Sequence, residues 1–275
     1  MNFSFCSFSS GSSGNCYMVK TDEAAVLVDA GISATRILHE LERTDTPREK
    51  VKALFLTHEH YDHITGARVL LKKLQGARAY ASAGTFKGVT KSDRGSRYSF
   101  ENEISEDRCI SIIPDETVIV GDLAIRPFRT IHDANEPFGY SISSENKHIA
   151  LVTDTGAITE EMLDHIAGAD VLVLEANHDT DLLRCGNYPL YLKRRILSDH
   201  GHLSNNQAAE VLLKLFDNID KKRVVLLAHL SGENNTPAIA ERTVLTALAR
   251  AGRYTGSDLY MGVLLRDEAS LLYRL

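Results

Sequence analysis

Strand-like runs and helix-like spacings alternate along the first third of the chain. The stretches "CYMVK", "AAVLVDAG" and "VKALFL" have the apolar, partly β-branched character of strands. The stretches "SATRILHELER", which opens with Ser33 as a helix cap, and "ARVLLKKL" have the apolar spacing of helices. This order predicts strands that are connected through helices.

The middle and last thirds complete the pattern. The middle contains the short runs "CISIIP", "TVIVG", "LAIRPFRTIH", "FGYSISS" and "HIALVTDTG", with turn residues between them. The last third predicts the strands "DVLVLEAN", "RVVLLAHLS", "LYMGVLL" and "SLLYRL". Its helices are "SNNQAAEVLLKLF", capped by Ser204, and "TPAIAERTVLTALARA", with Pro237 in the first turn. The polar stretch from Lys87 to Asp107 predicts a long loop over one face. With no repeat or low-complexity linker, we expect one α/β domain over residues 1–275, with two β-rich layers and helices outside.

Composition and charge restrict the class of protein. A chain of 275 residues that is 43% hydrophobic can bury one large core. The N-terminus lacks the basic start and apolar run of a signal peptide, and no apolar run has membrane-spanning length, so we expect a cytoplasmic protein without membrane association. A net charge of −6 gives no general attraction for nucleic acid. Binding of nucleic acid would therefore require a local basic patch or a metal. The cysteines form no CxxC pair, and we expect reduced thiols at Cys6, Cys16, Cys109 and Cys185.

The segment "THEHYDHITG" carries the most distinctive chemistry. It lies between a predicted strand and a predicted helix, so His58 and His60 project to one side of an extended loop, while Asp62 and His63 start the helix. These four side chains suit two adjacent metal sites, and imidazole with carboxylate suits zinc, manganese or iron. The alternative is a solvated polar turn.

Further metal ligands are expected at the ends of other strands. His132, Asp154 and His229 each follow an apolar strand, where the loops of a sheet gather into a site. Each residue alone is more often an ordinary surface residue. Asp29 also ends a predicted strand and is suited to orienting a ligand or a bridging water.

In this order the motifs resemble those of the metallo-β-lactamase-fold hydrolases. The resemblance implies an α/β (α+β) fold of the αββα sandwich type, with two central mixed β-sheets flanked by helices. It also implies two divalent metal ions, zinc or manganese, and a metal-bridging hydroxide as nucleophile. One ion would be bound by His58, His60 and His132, the other by Asp62, His63 and His229, with Asp154 bridging.

Two later segments, "GHLSN" and "AHLSGENN", resemble those of ribonuclease Z and related phosphodiesterases. In that group the residue that corresponds to His202 contacts the scissile phosphate and assists the leaving oxygen, which suits an imidazole because its pKa lies near neutrality. Alternatively, His202 is only part of the turn that precedes a helix. The catalytic set that we expect comprises His202, Asp62 and Asp29.

Over its full length the chain is similar to the bacterial YycJ (WalJ) family, in "SSGSSGNC", "TIHDANEPFGY", "LEANHD" and "GHLSNNQAA". This resemblance implies a 5′-to-3′ exonuclease that acts on DNA, with RNA as a further possible substrate. The glycine- and serine-rich stretch could place Ser12, Ser13 and Asn15 beside the metals as phosphate donors, or form only a tight hairpin. His178 could bind substrate or orient a ligand.

Other functions remain open at this point. A thioesterase or lactonase would use the same metals on a carbonyl group, and a non-catalytic metal-bearing interaction module is a third interpretation. Basic residues could guide a polyanion toward the metals or form a solvated face. They are Lys193, Arg194 and Arg195 before His200 and His202, and Lys87, Lys91, Arg94 and Arg97 in the predicted loop.

Overall fold

Two β-sheets packed face to face form the centre of the protein, and helices cover their outer faces. The computed structural model describes residues 3–90, 100, 103–218, 222–256 and 259–275. Within these ranges each sheet contains seven strands, in the orders β14-β1-β2-β3-β4-β5-β6 and β13-β12-β11-β10-β9-β8-β7. The strands are β1 (Ser4–Ser9), β2 (Cys16–Lys20), β3 (Ala25–Val28), β4 (Val51–Phe55), β5 (Arg78–Ala81), β6 (Cys109–Ser111), β7 (Val118–Val120), β8 (Leu123–Arg129), β9 (Phe138–Ser144), β10 (Lys147–Val152), β11 (Val171–Glu175), β12 (Arg223–Ala228), β13 (Leu259–Val263) and β14 (Tyr273–Arg274).

The helices connect the parallel strands. They are α1 (Ala34–Arg43), α2 (Tyr61–Ile64), α3 (Ala67–Lys73), α4 (Ala83–Thr90), α5 (Glu160–Ala167), α6 (Thr180–Cys185), α7 (Leu190–Ile196), α8 (Asn205–Asn218) and α9 (Pro237–Arg250), with 3₁₀ turns at Arg48–Lys50 and Glu106–Arg108. Both sheets are mixed: β3 to β6 and β10 to β13 pair in parallel, and the remaining pairs are antiparallel. The expected αββα sandwich is confirmed. None of the described helices combines the length and apolar composition needed to span a bilayer.

A buried layer of apolar side chains joins the two sheets. Phe55 of β4 stacks on Tyr80 of β5 at 4.8 Å between ring centroids and meets Tyr140 of β9 edge-on at 5.4 Å. The Tyr140 hydroxyl donates to the Leu56 carbonyl at 2.7 Å, so its polar end is satisfied inside the core. Two further apolar layers lie between the sheets and their helices. Side chains of both sheets therefore pack against the C-terminal end of β4.

Helix starts follow the predicted caps. The Ser33 hydroxyl accepts from the Arg36 backbone N–H, and Pro237 is the first residue of α9. Ser204 and Gln207 form a capping box: the Gln207 N–H donates to Ser204 Oγ at 3.3 Å, and the Ser204 N–H donates to Gln207 Oε1 at 2.9 Å. This cap fixes the entry to α8 directly after His202.

The predicted loop from Lys87 to Asp107 is wrong at its start, because Lys87 lies in α4. Gly84 and Gly88 weaken the helical pattern of this segment. Both glycines are needed, since a Cβ at Gly88 would come within 2.4 Å of the Glu59 side chain and one at Gly84 within 2.6 Å of Glu136. Much of the remaining stretch, including Lys91, Arg94 and Arg97, lies outside the described residues.

Candidate metal centre

The predicted ligands gather at one edge of the two sheets. Asp29 directly follows β3, the segment from His58 to His63 follows β4, and His229 directly follows β12. Asp154 lies two residues beyond β10, and His132 lies three residues beyond β8. Strands β3 and β4 are parallel, as are β10, β11 and β12, so their carboxyl ends meet at the same edge.

Three of these strand-end residues have a left-handed backbone. The φ angles are 61° at Asp29, 56° at Asp154 and 55° at His229. Such angles are uncommon for residues other than glycine and recur at functional sites, where the surrounding structure holds them. Each strand therefore turns sharply at the residue whose side chain enters the site.

The donor atoms form two adjacent groups. His58, His60 and His132 offer nitrogen atoms that all lie within 4.8 Å of one another, and Asp62, His63 and His229 form a second such group. In the first group the His132 Nε2 to His60 Nδ1 distance is 3.3 Å. In the second group Asp62 Oδ2 lies 3.5 Å from His63 Nε2 and 3.4 Å from His229 Nε2.

Asp154 lies between the two groups. Its Oδ2 is 3.3 Å from His63 Nε2, and its Oδ1 is 3.5 Å from His229 Nε2 and 3.8 Å from His132 Nε2. The carboxylate thus faces ligand candidates of both groups. The structure brings all seven predicted ligands together.

The donor set fits divalent cations. Among the described residues, the buried His58 Nε2 and Asp154 Oδ2 have no hydrogen-bond partner. A buried polar atom without a partner is costly, and a cation would satisfy both atoms. Imidazole nitrogen and carboxylate oxygen are the donors that zinc and manganese accept.

Burial and neighbouring charges set the protonation of the two groups. Burial lowers the pKa of His132 to about 4, so its ring is a neutral donor. Burial also lowers the pKa of His229, but Asp154, Asp62 and Glu175 outweigh it and raise that pKa to about 10. The second group is therefore dominated by carboxylate charge.

Asp29 binds the Nδ1 side of the His63 ring. It is fully buried, and its Oδ2 lies 2.7 Å from His63 Nδ1, while its Oδ1 accepts from the Thr57 backbone N–H at 2.8 Å. A carboxylate on Nδ1 leaves Nε2 directed at the site. Its contacts are those of an orienting residue, and a direct part for Asp29 in the reaction stays a prediction.

Glu175, which the sequence analysis missed, organises the other side of the centre. Its Oε1 lies 2.8 Å from His202 Nδ1 and 3.0 Å from His229 Nδ1. Its Oε2 accepts from the backbone N–H groups of Thr155 at 2.9 Å and Leu203 at 3.2 Å. The ionised form is favoured: burial raises the pKa of Glu175, but His202 outweighs it and the pKa falls to about 2. The signal was available, because Glu175 is an acid at the end of the otherwise apolar strand "VLVLE".

His202 lies at the open side of the centre. Its ring centroid is 4.9 Å from that of His132 and 5.3 Å from that of His229, and its side chain is 14% exposed. Because Glu175 engages Nδ1, the nitrogen that remains for a substrate is Nε2.

The glycine- and serine-rich stretch forms a hairpin turn between β1 and β2 that contacts the centre. Ser12 and Ser13 are exposed, whereas Asn15 is fully buried. Asn15 Nδ2 lies 3.1 Å from His63 Nε2, and the Asn15 backbone N–H donates to the Asp62 carbonyl at 2.7 Å. The turn thus combines an exposed tip with a buried amide beside the second donor group.

His178 is 1% exposed and does not line an open surface. Among the described residues neither ring nitrogen has a hydrogen-bond partner, and burial lowers the pKa of His178 to about 4. Its carbonyl accepts from the Asn205 N–H at 2.9 Å. His178 therefore packs beneath the segment that carries His202.

Comparison with known proteins gives consistent matches. The sequence profile described as the Beta-lactamase superfamily domain matches residues 24–230. The exodeoxyribonuclease WalJ of Streptococcus pneumoniae is 37% identical over 258 residues, which cover 94% of this chain and 93% of that protein. The exodeoxyribonuclease YycJ of Bacillus anthracis is 35% identical over 252 residues, 92% of this chain and 91% of that protein. The metallo-β-lactamase-fold protein YhfI of Bacillus subtilis shares the fold, with a TM-score of 0.68 at 15% identity and full coverage of both chains.

Proposed function

The chain belongs to the β-lactamase superfamily and, within it, to the family of WalJ and YycJ, and from this premise we propose that it is a DNA exonuclease that depends on two divalent metal ions. The proposed direction of degradation is 5′ to 3′, and the proposed cations are zinc or manganese. The observation that carries the proposal is the pair of donor groups with Asp154 between them.

We propose one cation on His58, His60 and His132 and a second on Asp62, His63 and His229, with Asp154 shared. When bound, such a pair supplies a hydroxide nucleophile at neutral pH and positive charge for the phosphoryl oxygens. The seven donors lie in α2, directly before it, or within three residues after a strand, which supports a preformed site.

We propose that His202 donates the proton that the departing oxygen takes up. With Nδ1 held by the Glu175 carboxylate at 2.8 Å, a protonated ring directs its Nε2–H toward the open side. His202 then gives its proton to the leaving oxygen and returns to the neutral ring, still oriented by Glu175.

The remaining predicted site residues receive supporting roles. The exposed hydroxyl of Ser13 donates to a phosphate oxygen beside the second donor group. Asn15 is fully buried, so its amide, 3.1 Å from His63 Nε2, supports that histidine, and a substrate contact of Asn15 stays a prediction. His178 acts indirectly, because its burial keeps it from the substrate while its backbone supports the start of α8.

The test combines metal analysis with degradation assays. Protein freed of metal and reloaded with zinc or manganese should bind two ions per chain and shorten end-labelled DNA, and strands labelled at either end report the direction. RNA, a thioester and a lactone serve as alternative substrates. Hydrolysis of the thioester or lactone without loss of DNA would contradict the proposal and identify a carbonyl hydrolase.

A further inference from the structure

Helix α7 and the residue after it expose an unusual group of side chains beside the centre. Leu190 is 63% exposed, Tyr191 is 74% exposed and Leu197 is 43% exposed, and Arg194 is exposed as well. Leu190, Arg194 and Leu197 are spaced four and three residues apart, which places them on one face of the helix. We call Leu190, Tyr191, Arg194 and Leu197 the α7 surface. Single exposed apolar residues are ordinary, but a cluster of them indicates an interaction site.

The C-terminal end of α7 is fixed to the metal centre. The Arg195 guanidinium binds the Asp133 carboxylate through two nitrogens, with Nη2 at 2.9 Å. The Ile196 carbonyl accepts from the His202 N–H at 3.1 Å, and the Asp133 N–H donates to the His200 carbonyl at 3.1 Å. A helix of seven residues is about 10 Å long. The α7 surface therefore lies within one short helix of the segments that carry His132 and His202.

The contacts of the three consecutive basic residues differ. Lys193 donates to the carbonyls of Arg184 and Gly186, both at 2.7 Å, and so closes the end of α6. Arg195 is paired with Asp133. Within the described part of the chain, Arg194 has no ion pair or hydrogen bond through its side chain. It is the cation of the three that is available to a ligand.

We propose that the α7 surface is the docking site of single-stranded DNA on its way to the metal centre; this inference rests on the proposed nuclease function. Tyr191 stacks on a base, Leu190 and Leu197 pack against its edge or sugar, and Arg194 binds a backbone phosphate. An exposed aromatic ring beside an unpaired cation is the combination that single-strand binders use. Stacking on Tyr191 needs a base with a free face, which a single strand provides and the interior of a duplex does not.

The test measures binding apart from cleavage. Fluorescence anisotropy of a labelled single-stranded oligonucleotide, recorded with EDTA present, gives the dissociation constant for wild type, Tyr191→Ala, Tyr191→Phe and Arg194→Gln. Since a stacked base contributes enough for alanine substitution to weaken binding at least about fivefold, Tyr191→Ala should raise the dissociation constant by that factor. Tyr191→Phe should bind like wild type, and Arg194→Gln should reduce the salt dependence.

Tyr254 provides a matched control, because it is 73% exposed and follows the far end of α9. Tyr254→Ala should leave binding unchanged. Equal binding by wild type and Tyr191→Ala, or tighter binding of a blunt duplex than of the single strand, would overturn the inference. Self-association that is lost in Tyr191→Ala, measured by light scattering, would also overturn it and assign the surface to a second copy of the chain. If wild type binds the strand through Tyr191 but does not degrade it with metal, the nuclease proposal fails while the docking surface stands.

Discussion

Replacing Glu175 by glutamine should remove the carboxylate that orients the imidazoles of His202 and His229. The amide keeps the size of the side chain, and its oxygen can still accept from the Thr155 and Leu203 backbone N–H groups. Its NH₂ group then faces His202 Nδ1 and His229 Nδ1, at positions where the carboxylate accepted at 2.8 Å and 3.0 Å. A donor in that place requires each ring to carry its proton on Nε2, which is the nitrogen that faces the site.

The magnitude follows from these two contacts. A hydrogen bond to a charged group contributes about 1.5–3 kcal/mol. Loss of both bonds therefore removes about 3–6 kcal/mol of the free energy that holds the two rings in their orientation. Loss of the partner behind a metal-binding histidine typically weakens metal affinity by about 10–100-fold. Loss of a positioned general acid lowers turnover by about 10²–10⁴-fold. We therefore expect weaker binding of one cation through His229 and a lower kcat through His202.

Two measurements separate these effects. Calorimetric titration of metal into the stripped protein should show one weakened site for Glu175→Gln. Excess metal should restore its occupancy without restoring kcat, because His202 remains misoriented. Glu233→Gln, an exposed acid in the loop after His229, is the matched control and should resemble wild type. Wild-type metal affinity together with wild-type kcat in Glu175→Gln would refute the reasoning.

Four other substitutions test separate parts of the site. His60→Ala should abolish metal binding at one site and phosphodiester hydrolysis, whereas His202→Ala should lower turnover with metal content unchanged; elemental analysis beside the activity assay distinguishes them, and metal loss in the second variant would contradict its role. Gly31→Ala should lower the melting temperature and metal affinity, because the alanine Cβ would lie 1.6 Å from the Asp62 carbonyl oxygen. An unchanged melting curve would contradict this expectation and show that the loop accommodates the Cβ without loss of stability. Burial lowers the pKa of His178 to about 4, so the neutral ring stabilises the fold above about pH 6.5, and this stability is lost as the pH falls toward 4. Between about pH 7 and 5 the wild type should lose about 2 kcal/mol of unfolding free energy more than His178→Leu, measured in urea, and equal losses would contradict the assignment.

The sequence revealed the ligand candidates because their chemistry breaks a simple pattern. Each follows an apolar strand, and parallel strands bring their carboxyl ends together, so His132, Asp154 and His229 were predictable as a group. The left-handed backbone at Asp29, Asp154 and His229 was not predictable, because no sequence rule requires it of an aspartate or histidine at a strand end. Glu175 was not predicted, because it is the last residue of its strand and not a polar residue that follows a strand.

Parts of the fold were hidden for other reasons. Serine occupies three of the six positions of β1, although all its residues are buried, so the run "SFCSFS" lacks the polarity contrast that marks a half-exposed strand. The short helices α5, α6 and α7 contain six to eight residues, too few to establish a period. Tertiary contacts rather than propensity fix such helices, as the link between Arg195 and Asp133 does for α7.

The left-handed strand ends also decide which inactive proteins are worth making. Asparagine tolerates this backbone better than other residues with a side chain, whereas alanine disfavours it. Asp154→Asn and His229→Asn should therefore keep the strand ends in place while removing the charge or the imidazole. Such proteins are the appropriate choice for co-crystallisation with an uncut oligonucleotide.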